Sequence, residues 1–187
     1  SPVLSGKFDL YAMELPFLSS VYLPKGKSEP QFAALYQTIL KYQAKPDSTA
    51  QVLIPAAPFA KAGRLRSAAI EDPMEGLPWG IAIADLTFVE QLKFSAAECA
   101  GFLTPPESGP GVAGRTRLAD AHCGVQSAGG VFRMKHAWTG KGQAQDGTDV
   151  DIFEGYLSFN VVHSALYRRK GHGSGDKIGF AFWAVRA

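Results

Sequence analysis

The sequence predicts an α+β fold in two halves, residues 1–103 and 104–187. Three observations predict it. Each half contains a strand–helix–strand run. A proline- and glycine-rich stretch, TPPESGPGVAG, lies between them and has the composition of a linker. The chain from Val150 onward reads as strand, short helix, glycine-rich basic loop and final strand.

The elements follow in order. Lys7–Leu15 has strand composition, with Phe8, Leu10 and Ala12 on one face. SSVYLP continues as extended chain and PKGKSEP is a loop. Ser28 and Gln31 have capping-box spacing, and Pro30 sits where a first helical turn tolerates proline. Phe32, Leu35, Tyr36, Ile39, Leu40 and Gln43 then recur with the period of a helix. Lys45-Pro46-Asp47 stops it. AQVLIP is a short buried strand, and residues 55–80, with Pro55, Pro58, Pro73 and Pro78, are loop. Ile81–Phe94 is a long strand or a strand pair, and SAAECAGFL a short helix. Beyond the linker, RTRLADAHC and GGVFRMKHAWTG are strands of a hairpin, and GKGQAQDGTD is a polar turn. VDIFEGYLSF is a strand, NVVHSALYRR a short helix, and FAFWAVRA the last strand.

Hydrophobic residues make up 46% of the chain, enough for a packed core and too many for a disordered protein. Charged residues are 19% and the net charge is +2, which excludes a binder that works by bulk charge. The charges are unevenly spread. From Asp72 to Gln91 all are acidic, whereas Arg115, Arg117, Arg133, Lys135 and Lys141 dominate the next charged stretch. No apolar run reaches membrane-spanning length and no leader pattern is visible. Ser1 fits removal of an initiator methionine or of a leader equally; the expectation is a cytoplasmic protein without a membrane partner. Cys99 and Cys123 form no C-x-x-C and no framework, so reduced thiols are expected. His122-Cys123 has no second metal-like pair, and Asp146, Asp149, Asp151 and Glu154 lack calcium-loop spacing. No metal and no cofactor are expected.

The C-terminal loop carries Gly171, Gly173, Gly175 and Gly179 among Arg168, Arg169, Lys170, His172 and Lys177. Glycines let a backbone approach a bulky anion, and their N–H groups can form a nest for it. Together with Arg115, Arg117 and Arg133, the loop makes a candidate phosphate-backbone site. Trp138, Tyr156, Phe180 and Trp183 are aromatics on expected strands, with core packing as their default role.

Gly171-His172-Gly173, then SGDKI, then Gly179-Phe180-Ala181 resembles the G-x-G, five residues, G-x-G loop of CRISPR-associated RAMP proteins. FEGYL (Phe153–Leu157) resembles the strand entering that family's final helix, and Leu35-Tyr36-Gln37 the start of its catalytic helix. The chain looks most like the repeat-processing endoribonucleases of type I and some type IV systems, with alanine at the last glycine of the pattern. The resemblance implies two ferredoxin-like (RRM-like) halves, and CRISPR RNA, through its repeat stem-loop, as partner beside other Cas subunits. It implies metal-independent cleavage by 2′-OH attack, which needs a base, an acid and cations on the phosphate.

Tyr36, His136 and Lys135 are the first candidates for that chemistry, with His122, Lys25 and Lys27 behind them. In a strand, Arg133 and Lys135 share a face and His136 points the other way. The family's helix histidine has no counterpart, because no histidine precedes His122 and the matching position is Ile39. Two other readings follow: a non-catalytic RAMP subunit of an effector complex, or a secreted β-rich ligand-binding protein with a Cys99–Cys123 disulfide.

Overall fold

Alternation of side chains along eight strands, each with an apolar face turned inwards, closes this chain on itself. The computed structural model describes residues 2–187. The strands are β1 (Gly6–Ala12), β2 (Ala50–Ile54), β3 (Gly63–Arg66), β4 (Ile81–Leu92), β5 (Gly109–Leu118), β6 (Val125–Gly140), β7 (Val150–His163) and β8 (Gly175–Arg186). They form one closed barrel in sequence order, each strand antiparallel to the next. The seam is the antiparallel β1–β8 pair, Phe8 opposite Arg186 and Ala12 opposite Phe182.

This corrects the expected fold class. Two ferredoxin-like halves are absent, and β4 and β5 pair across the 103/104 boundary, Ile81 opposite Leu118. The supposed linker supplies the first six residues of β5, Gly109–Gly114. Its glycines are close-approach positions: a Cβ on Gly114 would lie 2.7 Å from Ile83 Cγ2 and one on Gly111 2.6 Å from Leu92 Cδ2. The loop-rich region holds β3, and the extended SSVYLP lies largely within a helix, α1 (Pro16–Tyr22).

One residue of each pair points inwards. Phe8, Leu10, Val52, Leu65, Ile83, Val112, Phe132, Phe153, Phe159 and Phe182 form the interior cluster. Phe8 meets Phe153 edge-on at 5.2 Å, and Phe132 stacks on Phe182 at 5.7 Å. An eight-stranded barrel is just wide enough to be filled by side chains, and these aromatics fill it.

The outer wall is divided. Over β1, β7 and β8 it is apolar and covered: α1 and α2 (Phe32–Gln43) place Leu18, Tyr22, Leu35 and Ile39 against Tyr11, Ile152, Trp183 and Val185. The α2 stripe read from the sequence is this docking face. Its expected Ser28–Gln31 capping box is not made; the helix starts from Gln31 without a side-chain cap. A capping box is made at Ser95 and Glu98, ahead of the short α3 (Ala96–Cys99). The last helix, α4 (Ala165–Arg169), leads from β7 into the glycine-rich loop. Over β2–β5 no helix covers the wall, and charged side chains stand on it. An apolar interior with a cationic outer wall is the inverse of a membrane-spanning barrel. Among the described residues, no helix is long and apolar enough to cross a membrane.

Candidate nucleic-acid interface

The three proton-transfer candidates do not converge. Tyr36 lies on α2 with its ring 6.4 Å from that of Trp138, and burial raises its phenol above the ordinary value. That makes it a worse base. Lys135 and His136 leave β6 on opposite faces, as the strand alternation requires. Lys135 is buried in the outer wall, 2.9 Å from Glu154 Oε1, and donates to the His136 carbonyl at 3.1 Å. His136 points inwards, edge-on to Phe153. Its Nε2 sits 2.8 Å from both Asp151 Oδ1 and Thr139 Oγ1. A base, an acid and a phosphate cation are not brought to one point.

The predicted phosphate contacts are also dispersed. Arg115 is held by Asp85, with Nε donating to Oδ2 at 2.8 Å. Arg133 lies 3.5 Å from Glu98, over the Phe94 ring, and donates to the Lys93 carbonyl. In the glycine-rich loop, Arg168 donates to the His163 carbonyl at 2.6 Å, and His172 Nε2 rests 3.0 Å from Met74 Sδ. Gly171 and Gly173 adopt φ of +85° and +77° in open space, so they serve the turn. Arg169, Lys170 and Lys177 are exposed on the loop and at the start of β8. Gly179 stands within β8, facing the Tyr156 hydroxyl, not in the loop.

Beside that loop a polar cluster ties α4 to the segments that precede β4 and β6. Tyr167 donates to Asp72 Oδ1 at 2.9 Å, and His122 Nε2 stands 3.5 Å from Asp72 Oδ2. The Gly124 N–H donates to His122 Nδ1 at 2.9 Å, so the neutral ring carries its proton on Nε2, towards the carboxylate. Burial, with Asp72 beside it, pushes the Tyr167 phenol up to about 12. The cluster pins residues 67–80 to α4. Tyr167→Phe is expected to cost about 1–3 kcal/mol in urea unfolding, because it leaves a buried carboxylate short of a donor. A change within experimental error would mean the contact contributes nothing.

The uncovered wall gathers what the loop does not. Gly63 and Leu65 of β3 point inwards, so Arg64 and Arg66 point outwards. Lys7 of β1 and Arg117 of β5 emerge on the same outer wall, and Lys61 stands just before β3. All five are exposed, and none has an ion-pair partner among the described residues. They line an open groove of about 1420 Å³. Its floor is small or apolar: Leu53, Gly80, Ala82 and Ala119. The carboxylates lining it are Asp9, which accepts from Gln51 at 3.2 Å, and Asp120. Of the residues marked in the sequence as RNA contacts, only Arg117 belongs here. Lys7, Lys61, Arg64 and Arg66 were missed, although the alternation in Gly63-Arg64-Leu65-Arg66 was the signal.

Among the described residues, no group of three or more His, Cys, Asp or Glu side chains is placed to hold a metal ion. Cys99, half-buried at the end of α3, and Cys123, exposed ahead of β6, are both free thiols. That removes the disulfide from the secreted-protein reading. No family model, curated protein or solved structure matches this chain.

Proposed function

We propose that the protein is an RNA-binding β-barrel that holds a phosphodiester backbone on the outer wall of β1–β5 without cutting it. The observation that carries this reading is the set of five exposed cations, Lys7, Lys61, Arg64, Arg66 and Arg117, none with an ion-pair partner among the described residues, around a small-residue floor. Cations left unpaired on a protein of net charge +2 are available to an anion. The groove is open rather than an enclosed cavity, which suits a polymer better than a small metabolite that must be buried. Binding without cleavage is supported by the separation of Tyr36, Lys135 and His136.

The narrower reading makes the RNA a CRISPR repeat and the protein a cytoplasmic RAMP subunit beside other Cas subunits. Its support is the glycine pattern at Gly171-His172-Gly173 and Gly179-Phe180-Ala181. The ferredoxin-like fold that the resemblance implies is not there to add to it.

Fluorescence anisotropy on a labelled RNA, repeated across salt concentrations, tests the groove. Arg64→Gln, Arg66→Gln and Arg117→Gln combined are expected to weaken binding. Each lost phosphate contact lowers the log–log salt slope by about 0.7 on a single strand, so the slope should fall by about 2. Arg168→Gln, Arg169→Gln and Lys177→Gln combined should change it little. The reverse pattern would move the site to the glycine-rich loop and defeat the groove assignment.

A further inference from the structure

Strand register sorts the cations of the groove into a line. Lys7 is opposite Leu53, Leu53 opposite Arg64, Arg64 opposite Ala82, and Ala82 opposite Arg117. These five residues make one row running across the strands from β1 to β5. Neighbouring strands are about 4.8 Å apart, so Lys7, Arg64 and Arg117 recur at roughly 10 Å intervals along the curved wall, over an arc of about 19 Å that runs half-way round the barrel. The residues between them, Leu53 and Ala82, carry no charge.

The rows on either side are different. Two residues along the strands, Asp9 is opposite Gln51 and Gln51 opposite Arg66. That row opens on a carboxylate and holds one cation. On the other side stands Arg115, opposite Ala84, and its guanidinium is already bound by Asp85. Asp85 reaches it from a break in the β4–β5 register, with φ of +55°. The central row is thus cationic, and carboxylates stand at Asp9 and Asp85 on its two sides.

We infer that the groove takes one single strand of RNA, laid across the β-strands along Lys7, Arg64 and Arg117, and discriminates against a duplex. This rests on the RNA-binding reading above. An A-form RNA duplex presents two backbones, one on each side of its wide, shallow minor groove. With one backbone on the central row, the second would fall on a flanking row, where Asp9 is only 7% exposed and Asp85 already holds Arg115, so few free cations meet it. A single strand has no second backbone to place. No exposed aromatic lies on the row, since Trp79 is only 7% exposed and packs inwards. Bases therefore have no stacking platform, and affinity should depend little on their identity.

The test uses the whole chain and a fluorescein-labelled oligouridine of about a dozen nucleotides, within the range of known single-strand sites. The same strand annealed to oligoadenosine is the duplex probe. The single strand is expected to bind at least about tenfold more tightly, a difference of about 1.4 kcal/mol. Asp85→Asn keeps a residue that tolerates positive φ and frees Arg115. It should raise duplex affinity more than single-strand affinity and narrow the ratio. Equal binding of the two probes by the unaltered protein would overturn the single-strand inference while leaving the RNA reading intact. An Asp85→Asn ratio that does not narrow would remove Asp85 as a determinant and overturn the flanking-carboxylate argument. Failure to bind either probe would overturn the RNA reading itself, and the inference with it.

Discussion

Lys135→Met is expected to destabilise the protein by about 3–5 kcal/mol, whereas Lys135→Met with Glu154→Leu should recover most of that loss. The pair is buried, with side chains 5% and 7% exposed and 2.9 Å between Nζ and Oε1. Removing the lysine alone leaves a carboxylate with no counter-charge. Removing both leaves apolar side chains in a wall that already contains Trp183, the register partner of Glu154. Urea unfolding of the two single variants and the double variant measures the coupling. Additive losses would show that the two groups do not act as a pair.

The same variant carries a pH dependence of known sign. Burial holds the Glu154 carboxyl above its ordinary value, and Lys135 opposes that shift. Without Lys135 the folded-state value rises further. A raised folded-state value means that the native state binds more protons than the unfolded chain between the two values, so stability increases as pH falls through that window. The Lys135→Met deficit should therefore shrink on acidification from neutral pH towards the carboxylate range. A deficit independent of pH would show that Glu154 is not the group left stranded.

Gly155→Ala is expected to cost about 3 kcal/mol or more. Gly155 lies on β7 between Phe153 and Leu157 and shares their inward face. An added Cβ would sit 2.5 Å from Phe182 Cζ and closer still to the Arg133 carbonyl oxygen on β6. A backbone oxygen in a paired strand cannot swing aside, so the barrel wall itself would have to move. Gly109→Ala is the control, with nothing within 4 Å of its added carbon, and should stay within about 0.5 kcal/mol of the parent. Similar thermal midpoints for the two variants would mean that the wall is not tightly packed at Gly155.

Much of the strand content was legible. The alternations in β1, β2, β4 and β6, the period of α2 and the hairpin of β5 with β6 all follow from local pattern. Their closure did not. In β8, Phe182 and Ala184 face the barrel interior while Ala181, Trp183 and Val185 face the helices, so FAFWAVRA is apolar on both sides and names no partner. β3 is four residues long and is flanked by prolines on both sides, which hid it. The glycines of β5 looked like a linker because composition cannot separate a flexible glycine from one crowded by Ile83 or Leu92. α1 has weak intrinsic helix preference, and the packing of Tyr22 on Trp183 at 4.8 Å decides its conformation. For the site, charge runs drew attention to the C-terminal loop. The groove draws instead on β1, β2, β3, β4 and β5, and its row exists only once the register is set.

The seam between β1 and β8 has a consequence for the order in which the molecule is made. During synthesis β1 emerges before the other seven strands of the barrel, and its partner across the seam is the last of them to emerge. Until then β1 has one free edge, and the wall that α1 and α2 cover lacks Trp183. The helices thus have no complete docking surface before β8 arrives. Contacts this distant in sequence carry a large loop-closure cost and slow the final step. An unpaired edge strand recruits other chains until it is closed. The last strand therefore acts as a latch, ending in one event both the exposure of the first strand's edge and the waiting of the helices.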